Sequence, residues 1–454
     1  MSEKLENGSG KNGNFFINFN QDFSSLSVVS NNGYRLFSVQ SVDRVDEIFC
    51  NNDQDTRIAE RLFSSSLVAV VSKTEPNKLK VCHFKKLTEI CNYSYPKDIL
   101  RVLLNRSRLI VCLVDAIYIH NIRDMRLLHS IKNLAENPLG LCTLSMNSHL
   151  AYPTSETTGE LQVYDAGNLS QRVKIAAHAS PLSAMSFSFN GMLLATASQK
   201  GTVIRVFCTK NGQNLHEFRR GVKRYVTIAS LTFSNCANYI VVSSNTETVH
   251  VFKLDAKVLE EVERINALKN NNDEDGEAEN GSGFSITGLI SSAASYLIPT
   301  NVLVQDRAFA NVQLKEAGQK HQVVISKLDK ELRIMVACED GFLYVYDFDE
   351  EKGGDCKITK VHDLRGNLHG VIEVDNCGND LDVPMEQSVA VHKMTTSVAP
   401  ATFAGVLKGR PKDRMSVDSD KCRDLIDAVQ IPIKNTIPLF DDAQFPPVAV
   451  VAAE

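Results

Sequence analysis

The chain has no tryptophan, no Cys-x-x-Cys pair and no apolar run of the length that crosses a bilayer. A transmembrane helix needs about 20 consecutive apolar residues, so we expect no transmembrane segment. The 11 cysteines are scattered, and some, such as Cys112, stand inside apolar runs where a thiol acts as a small hydrophobic side chain. This cysteine usage is typical of a reducing compartment and predicts a cytoplasmic protein. A zinc site is the alternative use of cysteines, but no spacing favours one, so we expect no metal site.

A basic excess is absent as well, because the formal net charge is -5. Proteins that bind nucleic acids usually carry a positive surplus, so we expect no nucleic acid partner, and any anion site must be local. The chain also has no nucleophile elbow, phosphate-binding loop, HExxH motif or paired carboxylates in a catalytic setting. These absences predict that the protein is not an enzyme and that it uses no cofactor.

The chain does contain a short alternating segment that recurs seven times, at residues 34–37, 79–82, 117–120, 161–164, 204–207, 249–252 and 343–346. A second apolar segment precedes most copies, at 67–71, 109–114, 192–197, 239–242 and 332–337. The first six copies lie about 38 to 45 residues apart, close to the period of a four-stranded propeller blade. The pattern predicts an all-β, seven-bladed β-propeller with degenerate WD repeats.

The last two copies are separated by about 50 residues more than one blade requires. We therefore expect a propeller at 14–370 with a long insertion in blade six, at 254–313. The stretch 270–280 of this insertion is acidic and rich in asparagine, and such composition is typical of disorder. We also expect a disordered N-terminus at 1–13 and a mostly disordered tail at 371–454.

The pair Arg219-Arg220 lies between the fifth and sixth repeats. An isolated arginine pair is usually a solvated surface feature, but on a strand the two side chains point to opposite sides, one toward each flanking blade. Superposing the repeats places His250 on Arg205. Hydroxyl side chains and glycines stand beside them: Thr196, Ser198, Gly201, Thr202, Gly221, Ser244, Thr246 and Thr248. Guanidinium groups and hydroxyls together bind phosphate, so this pattern favours a phosphate site.

The run 216–225 contains Phe218-Arg219-Arg220-Gly221 and resembles the Phe-Arg-Arg-Gly signature of the PROPPIN family, the WIPI-type phosphoinositide-interacting propellers. Segments 200–207 and 243–252 reinforce this resemblance, which covers roughly 14–370. It implies two headgroup sites on the propeller rim, the first formed by Thr196, Ser198, Gly201, Thr202, Arg205 and Arg219. The second would be formed by Arg220, Gly221, Ser244, Thr248 and His250. The implied ligands are phosphatidylinositol 3-phosphate and 3,5-bisphosphate, and His178 borders the first site.

The segment 281–300 has no charged residue and, as a helix, has one apolar face. Such a helix suits the membrane interface, although a packed surface helix is the alternative. Family members carry a membrane-inserting loop at this place. The resemblance therefore implies that the residues entering the membrane are Phe284, Ile286, Leu289, Ile290 and Leu297.

Three basic residues, Arg106, Arg108 and Arg123, fall in the second and third repeats, whose surface recruits autophagy proteins in this family. The resemblance thus implies a scaffold that is recruited to preautophagosomal and endosomal membranes and gathers autophagy factors during autophagosome formation. The alternative is a protein-interaction propeller that does not bind lipid. His250 adds a further hypothesis, because a histidine at a phosphate site makes binding pH-dependent.

Overall fold

The computed structural model describes residues 15–221, 225–270, 308–365, 371–372 and 419–430. In this part of the chain, thirty strands form seven sheets, and each sheet is one blade. Blade one contains β1 (Phe16–Phe19), β2 (Ser25–Ser30), β3 (Gly33–Val39) and β4 (Val45–Asn51). Blade two contains β5 (Thr56–Arg61), β6 (Leu67–Ser72), β7 (Lys78–His83) and β8 (Thr88–Ser94). Blade three contains β9 (Arg101–Leu104), β10 (Arg108–Cys112), β11 (Ile117–Asn121) and β12 (Leu127–Ile131).

The next three blades follow the same antiparallel order. Blade four contains β13 (Thr143–Leu144), β14 (His149–Pro153), β15 (Gly159–Asp165) and β16 (Ser170–His178). Blade five contains β17 (Leu182–Phe187), β18 (Leu193–Ser198), β19 (Val203–Cys208) and β20 (Asn214–Arg219). Blade six contains β21 (Ile228–Phe233), β22 (Tyr239–Ser244), β23 (Thr248–Lys253) and β24 (Ala310–Gln313).

Blade seven contains β25 (His321–Leu328), β26 (Glu331–Cys338), β27 (Phe342–Asp347), β29 (Ile358–Asp363) and β30 (Val371–Ile372). The intervening strand β28 (Gly354–Cys356) pairs in parallel with β24 and so extends blade six. Two helices complete the described structure, α1 (Ala256–Asn270) and α2 (Ser419–Val429).

The predicted propeller is confirmed, and the seven recurring segments are the third strands of the blades, from β3 to β27. The apolar segments that precede them are second strands. A second strand lies between two others in its sheet and between two blades, so it is buried throughout, as β18 and β22 are. Outer strands such as β4 have only half-buried and exposed positions.

The hydrophobic core is divided among the seven interfaces between adjacent blades, with one apolar cluster at each. The interface of blades seven and one closes the ring without an exchanged strand. There the Phe15 amide donates to the Glu339 carbonyl at 3.1 Å, and His362 Nε2 lies 2.8 Å from the Val42 carbonyl. Radial closure of this kind leaves no long sheet edge exposed.

The insertion joins the third and fourth strands of blade six. It begins with α1, whose Val258 and Val262 pack with Leu254 into the core between blades five and six. The predicted insertion extended to residue 313. Its last four residues, 310–313, form strand β24 and therefore belong to the propeller. The helix expected at 281–300 lies outside the described residues.

One segment of the predicted tail, α2, is helical and packs on blade two. Composition alone did not single it out, because its sequence is mostly polar. Blade seven also continues just beyond the predicted boundary at residue 370, through β30.

Candidate functional site

Arg219 and Arg220 lie at the perimeter of the propeller, at the end of β20, the outermost strand of blade five. The backbone ladder fixes them, because Arg219 pairs with Val203 and the Arg220 amide donates to the Thr202 carbonyl at 3.0 Å. Strand alternation then separates the side chains. The structure places one guanidinium in blade five and directs the other toward blade six, as the alternation predicts.

In blade five, two guanidinium groups share one carboxylate. Arg205 Nε lies 2.9 Å from Glu217 Oε2, and Arg219 Nη2 lies 3.4 Å from Glu217 Oε1. Arg205 Nη1 also donates to the Ala177 carbonyl at 2.6 Å. The arginine side chains are 32% and 40% exposed, against 16% for Glu217. Since a guanidinium has five N–H donors, both arginines keep donors for an incoming anion.

Glu217 is a site residue that the sequence analysis missed. It pairs with Arg205 across the β19–β20 ladder and stands two residues before Arg219, on the same side of the strand. The available signal in the sequence was its spacing of two residues from Arg219, which puts both side chains on one side of a strand. It was overlooked because a carboxylate is not expected among cations that bind phosphate.

The hydroxyl residues predicted for the first site lie at different depths. Thr196 and Ser198 are buried in β18, and Thr196 Oγ1 is 3.0 Å from His178 Nε2. Burial, together with the charge of Arg205, lowers the pKa of His178 to about 4, so this histidine is neutral at pH 7. Thr196 is also the partner of Arg205 in the β18–β19 ladder, whereas Thr202 is half-buried and lies nearer the surface.

Gly201 occupies a turn that only glycine fits. Its φ is +63°, and a Cβ there would lie 2.1 Å from the Val226 carbonyl oxygen. Gly221 differs, because a Cβ at this position would meet nothing within 4 Å. The two glycines predicted for the headgroup sites therefore have unlike surroundings, one packed and one open.

In blade six, Arg220 Nη2 donates to Ser244 Oγ at 2.7 Å and to Thr246 Oγ1 at 2.6 Å. The two hydroxyl oxygens lie 2.9 Å apart. The predicted Ser244 and the neighbouring Thr246 thus hold this guanidinium in place. Thr248 lies at the start of β23, where its Oγ1 is 3.5 Å from Gln313 Oε1.

His250 projects from β23 and hydrogen-bonds Asn311 of β24, with 2.9 Å between Nδ1 and Oδ1. Burial lowers the pKa of His250; the Asn311 hydrogen bond opposes this shift and the Arg220 charge adds to it. With Nδ1 assigned as the donor to Asn311, Nε2 becomes a donor only when the ring is protonated. The sequence pattern did not indicate Asn311 and Gln313 as site residues, because the insertion separates them from β23.

The three basic residues predicted as a partner site have different surroundings. The Arg108 guanidinium donates to the carbonyls of Ala166 and Gly167, at 2.6 and 2.8 Å, and so joins blade three to blade four. Exposed Arg106 lies over the ring of Phe63, with 5.1 Å between Cζ and the ring centroid. Arg123 is exposed at a turn of blade three.

The predicted membrane-inserting residues, from Phe284 to Leu297, lie outside the described residues. Within the described ranges, no helix is both long and apolar enough to cross a membrane. The same part of the chain holds no cluster of three or more side chains suited to a metal ion.

Fold and site together define a seven-bladed propeller whose perimeter offers arginines and hydroxyls to an anion at the junction of blades five and six. The chain belongs to the PROPPIN family, whose model matches residues 14–365.

The curated relatives carry names from this family. The chain is 48% identical over 379 residues to WD repeat domain phosphoinositide-interacting protein 2 of Xenopus laevis, which covers 82% of this chain and 83% of that protein. It is 46% identical over 404 residues to WD repeat domain phosphoinositide-interacting protein 1 of Homo sapiens, with 87% and 86% covered. Autophagy-related protein 18 of Caenorhabditis elegans is 37% identical over 365 residues, with 77% and 85% covered.

Solved structures with the same fold include KlAtg21 in complex with the coiled coil of AgAtg16, at a TM-score of 0.58 and 26% identity. That match covers 77% of this chain and 98% of the other. Kluyveromyces lactis Hsv2 matches at a TM-score of 0.59 over 78% of this chain and 99% of its own. Its 19% identity supports the fold alone.

Proposed function

We propose that the protein is a phosphoinositide-binding membrane effector that reads phosphatidylinositol 3-phosphate and 3,5-bisphosphate through two sites on its rim. The observation that carries this proposal is the division of Arg219 and Arg220 between two polar sets, one in each of two adjacent blades. The names of the curated relatives, which are phosphoinositide-interacting and autophagy-related proteins, support the same function.

The first site takes a phosphate between Arg205 and Arg219. Both guanidiniums remain charged at any physiological pH and match phosphate with paired N–H donors. Glu217 holds them in position without ligand. An arriving phosphate binds the N–H donors that Glu217 leaves available, but the negative charge of Glu217 opposes it. Thr202 supplies a further hydroxyl near the surface.

The second site takes a phosphate at Arg220, whose position is fixed by Ser244 and Thr246. Thr248 and His250 lie on the neighbouring strand β23. Two headgroup sites on one rigid rim make the second capture intramolecular, which raises avidity by about 10²–10⁴ without new contacts. A protein with a net charge of -5 gains membrane affinity from such local cationic sites rather than from its overall field.

On this proposal the protein is cytoplasmic and is recruited peripherally to preautophagosomal and endosomal membranes, where it gathers autophagy factors during autophagosome formation. The insertion would add membrane contact through Phe284, Ile286, Leu289, Ile290 and Leu297. A protein-recruiting role is supported by a propeller of the same fold that was solved in complex with a coiled coil.

Vesicle flotation tests the lipid-binding function. We expect wild type to float with vesicles that contain either phosphoinositide and not with phosphatidylcholine alone. Arg219→Thr and Arg220→Thr should each weaken flotation, and the double variant should abolish it, because the first site then keeps only Arg205 and the second site loses its one guanidinium. The matched control replaces two exposed arginines of other blades, Arg44→Thr and Arg126→Thr, and should float like wild type. If wild type ignored both lipids while still binding proteins, the protein-interaction propeller without lipid binding would be the correct function.

A further inference from the structure

The helix α2 packs on a face of the propeller whose residues are distant from α2 in the sequence. It contacts β6, β7 and β8 of blade two. Leu425 and Ala428 are buried in the apolar cluster between blades two and three, and the Ser66 amide donates to the Ala428 carbonyl at 3.0 Å. Leu425 is 1% exposed, whereas the adjacent Ile426 is 57% exposed. The helix therefore presents one narrow apolar edge to the propeller.

Charge complementarity fixes the direction and register of α2. Lys86 Nζ lies 2.9 Å from Asp424 Oδ1 and 2.7 Å from Asp427 Oδ2. Thr88 Oγ1 donates to Asp424 at 3.1 Å, and His83 Nε2 lies 3.4 Å from Asp427. Asp424 and Asp427 each directly precede a buried apolar residue. Lys86 pairs with both aspartates and so contacts two positions of the helix.

This docking has the features of a reversible contact. An isolated helix of 11 residues is marginal in water, so α2 depends on the surface that receives it. Leu425 and Ala428 are its two buried side chains among those described, and partly exposed ion pairs contribute little. About 46 residues separate Ile372 from Ser419. Fully extended, they span roughly 150 Å, so α2 can leave while the chain stays intact.

The receiving face belongs to the propeller and carries its own recognition chemistry. Its apolar floor includes Phe63 and Ile90 of blade two and Met125 of blade three. Lys86 borders it, and the exposed cation of Arg106 lies over Phe63. An apolar floor with cations at its border suits a helix that is apolar on one edge and acidic beside it.

We propose that α2 is an intramolecular ligand that closes a helix-docking face on blade two. This face includes Arg106 of the predicted partner site, so the inference rests on the protein-recruiting role proposed above. When α2 leaves, the face is free for an amphipathic helix of a recruited protein, with an aspartate or glutamate directly before each of two apolar residues three positions apart. The tail thereby controls access to this face, and the control operates independently of the phosphate sites at blades five and six.

A fluorescent peptide with sequence 418–431 of this chain serves as the partner helix and is titrated into full-length protein. Wild type should bind it weakly because its own α2 fills the face, and Leu425→Asp should bind it about tenfold more tightly or better. Ile426→Asp, the same substitution on the exposed side, is the matched control and should behave like wild type. Asp424→Lys with Asp427→Lys in the full-length chain should also open the face, which provides a second route if Leu425→Asp lowers the melting temperature.

A charge exchange separates docking from general loosening of the fold. A peptide carrying Asp424→Lys and Asp427→Lys should bind the Leu425→Asp protein poorly, and adding Lys86→Asp to that protein should restore binding. Equal peptide affinity for wild type and Leu425→Asp, or no effect of the charge exchange, would overturn the proposal. A wild-type dimer that Leu425→Asp dissociates would place a second copy's helix on the face, and would overturn the intramolecular assignment.

Discussion

At the residue scale, one carboxylate positions the two guanidinium groups of the proposed first site. Glu217 lies between Arg205 and Arg219 and holds both guanidiniums before any ligand arrives. Strand alternation was enough to predict that Arg219 and Arg220 separate, since it depends only on a period of two. The pairing of Glu217 with Arg205 depends on the β19–β20 register, which the repeats leave undetermined.

We predict that Glu217→Gln strengthens binding to vesicles with phosphatidylinositol 3-phosphate by a factor of about 3 to 10, because it removes a competing negative charge beside two cations. A vesicle titration at fixed salt measures the change. Glu160→Gln, which removes a carboxylate paired with Lys174 in blade four, is the control and should leave the affinity unchanged. Weaker binding by Glu217→Gln would mean that positioning the arginines outweighs the competition.

His250 should make the second site respond to pH. Burial lowers the pKa of His250, so the ring is neutral at pH 7 in the free protein, and a bound phosphate favours the protonated form. In an Arg219→Thr background we expect lipid binding to strengthen as pH falls from 7.5 to 5.5. His250→Asn should lack this gain while experiencing the same titration of the lipid phosphate. Parallel pH profiles for the two proteins would count against the role of His250.

At the element scale, the proposed sites are built from strands β18, β19, β20, β22 and β23 and from the turns that join them. The seven recurring segments revealed the third strands because each combines alternation with a fixed period. β24 was not predicted, because it is short and follows the insertion. It pairs Asn311 with His250 and Gln313 with Thr248, two residues of the proposed second site. The helix α2 was not predicted, because two buried side chains in a polar helix give no periodic hydrophobic pattern.

The two glycines of the site provide a matched pair for stability. Gly201→Ala should lower the free energy of unfolding by roughly 1–3 kcal/mol, because a Cβ would collide with the Val226 carbonyl at a positive φ. Gly221→Ala should change it little, because the space around it is open. Denaturant melts of both variants measure the difference. If the two variants were equally stable, the turn at Gly201 would accommodate a Cβ without a loss of folding free energy, contrary to this prediction.

At the scale of the whole molecule, the ring places the two proposed headgroup sites next to each other, in two adjacent blades. Each blade packs on the next through its own apolar cluster, so blades five and six are held at a fixed spacing. The length and the number of the repeats could be predicted from the sequence, because every blade contains one copy of the recurring segment. Ring closure between blades seven and one, and the docking of α2 on blade two, depend on contacts between distant segments that no local pattern records.

The most direct measurement of the central claim is the number of headgroups that one propeller binds. Calorimetric titration with soluble short-chain phosphatidylinositol 3-phosphate should give two per chain for wild type and one for either Arg219→Thr or Arg220→Thr. The double variant should bind none. One headgroup for wild type, or loss of both when a single arginine is replaced, would contradict two separate sites divided between Arg219 and Arg220.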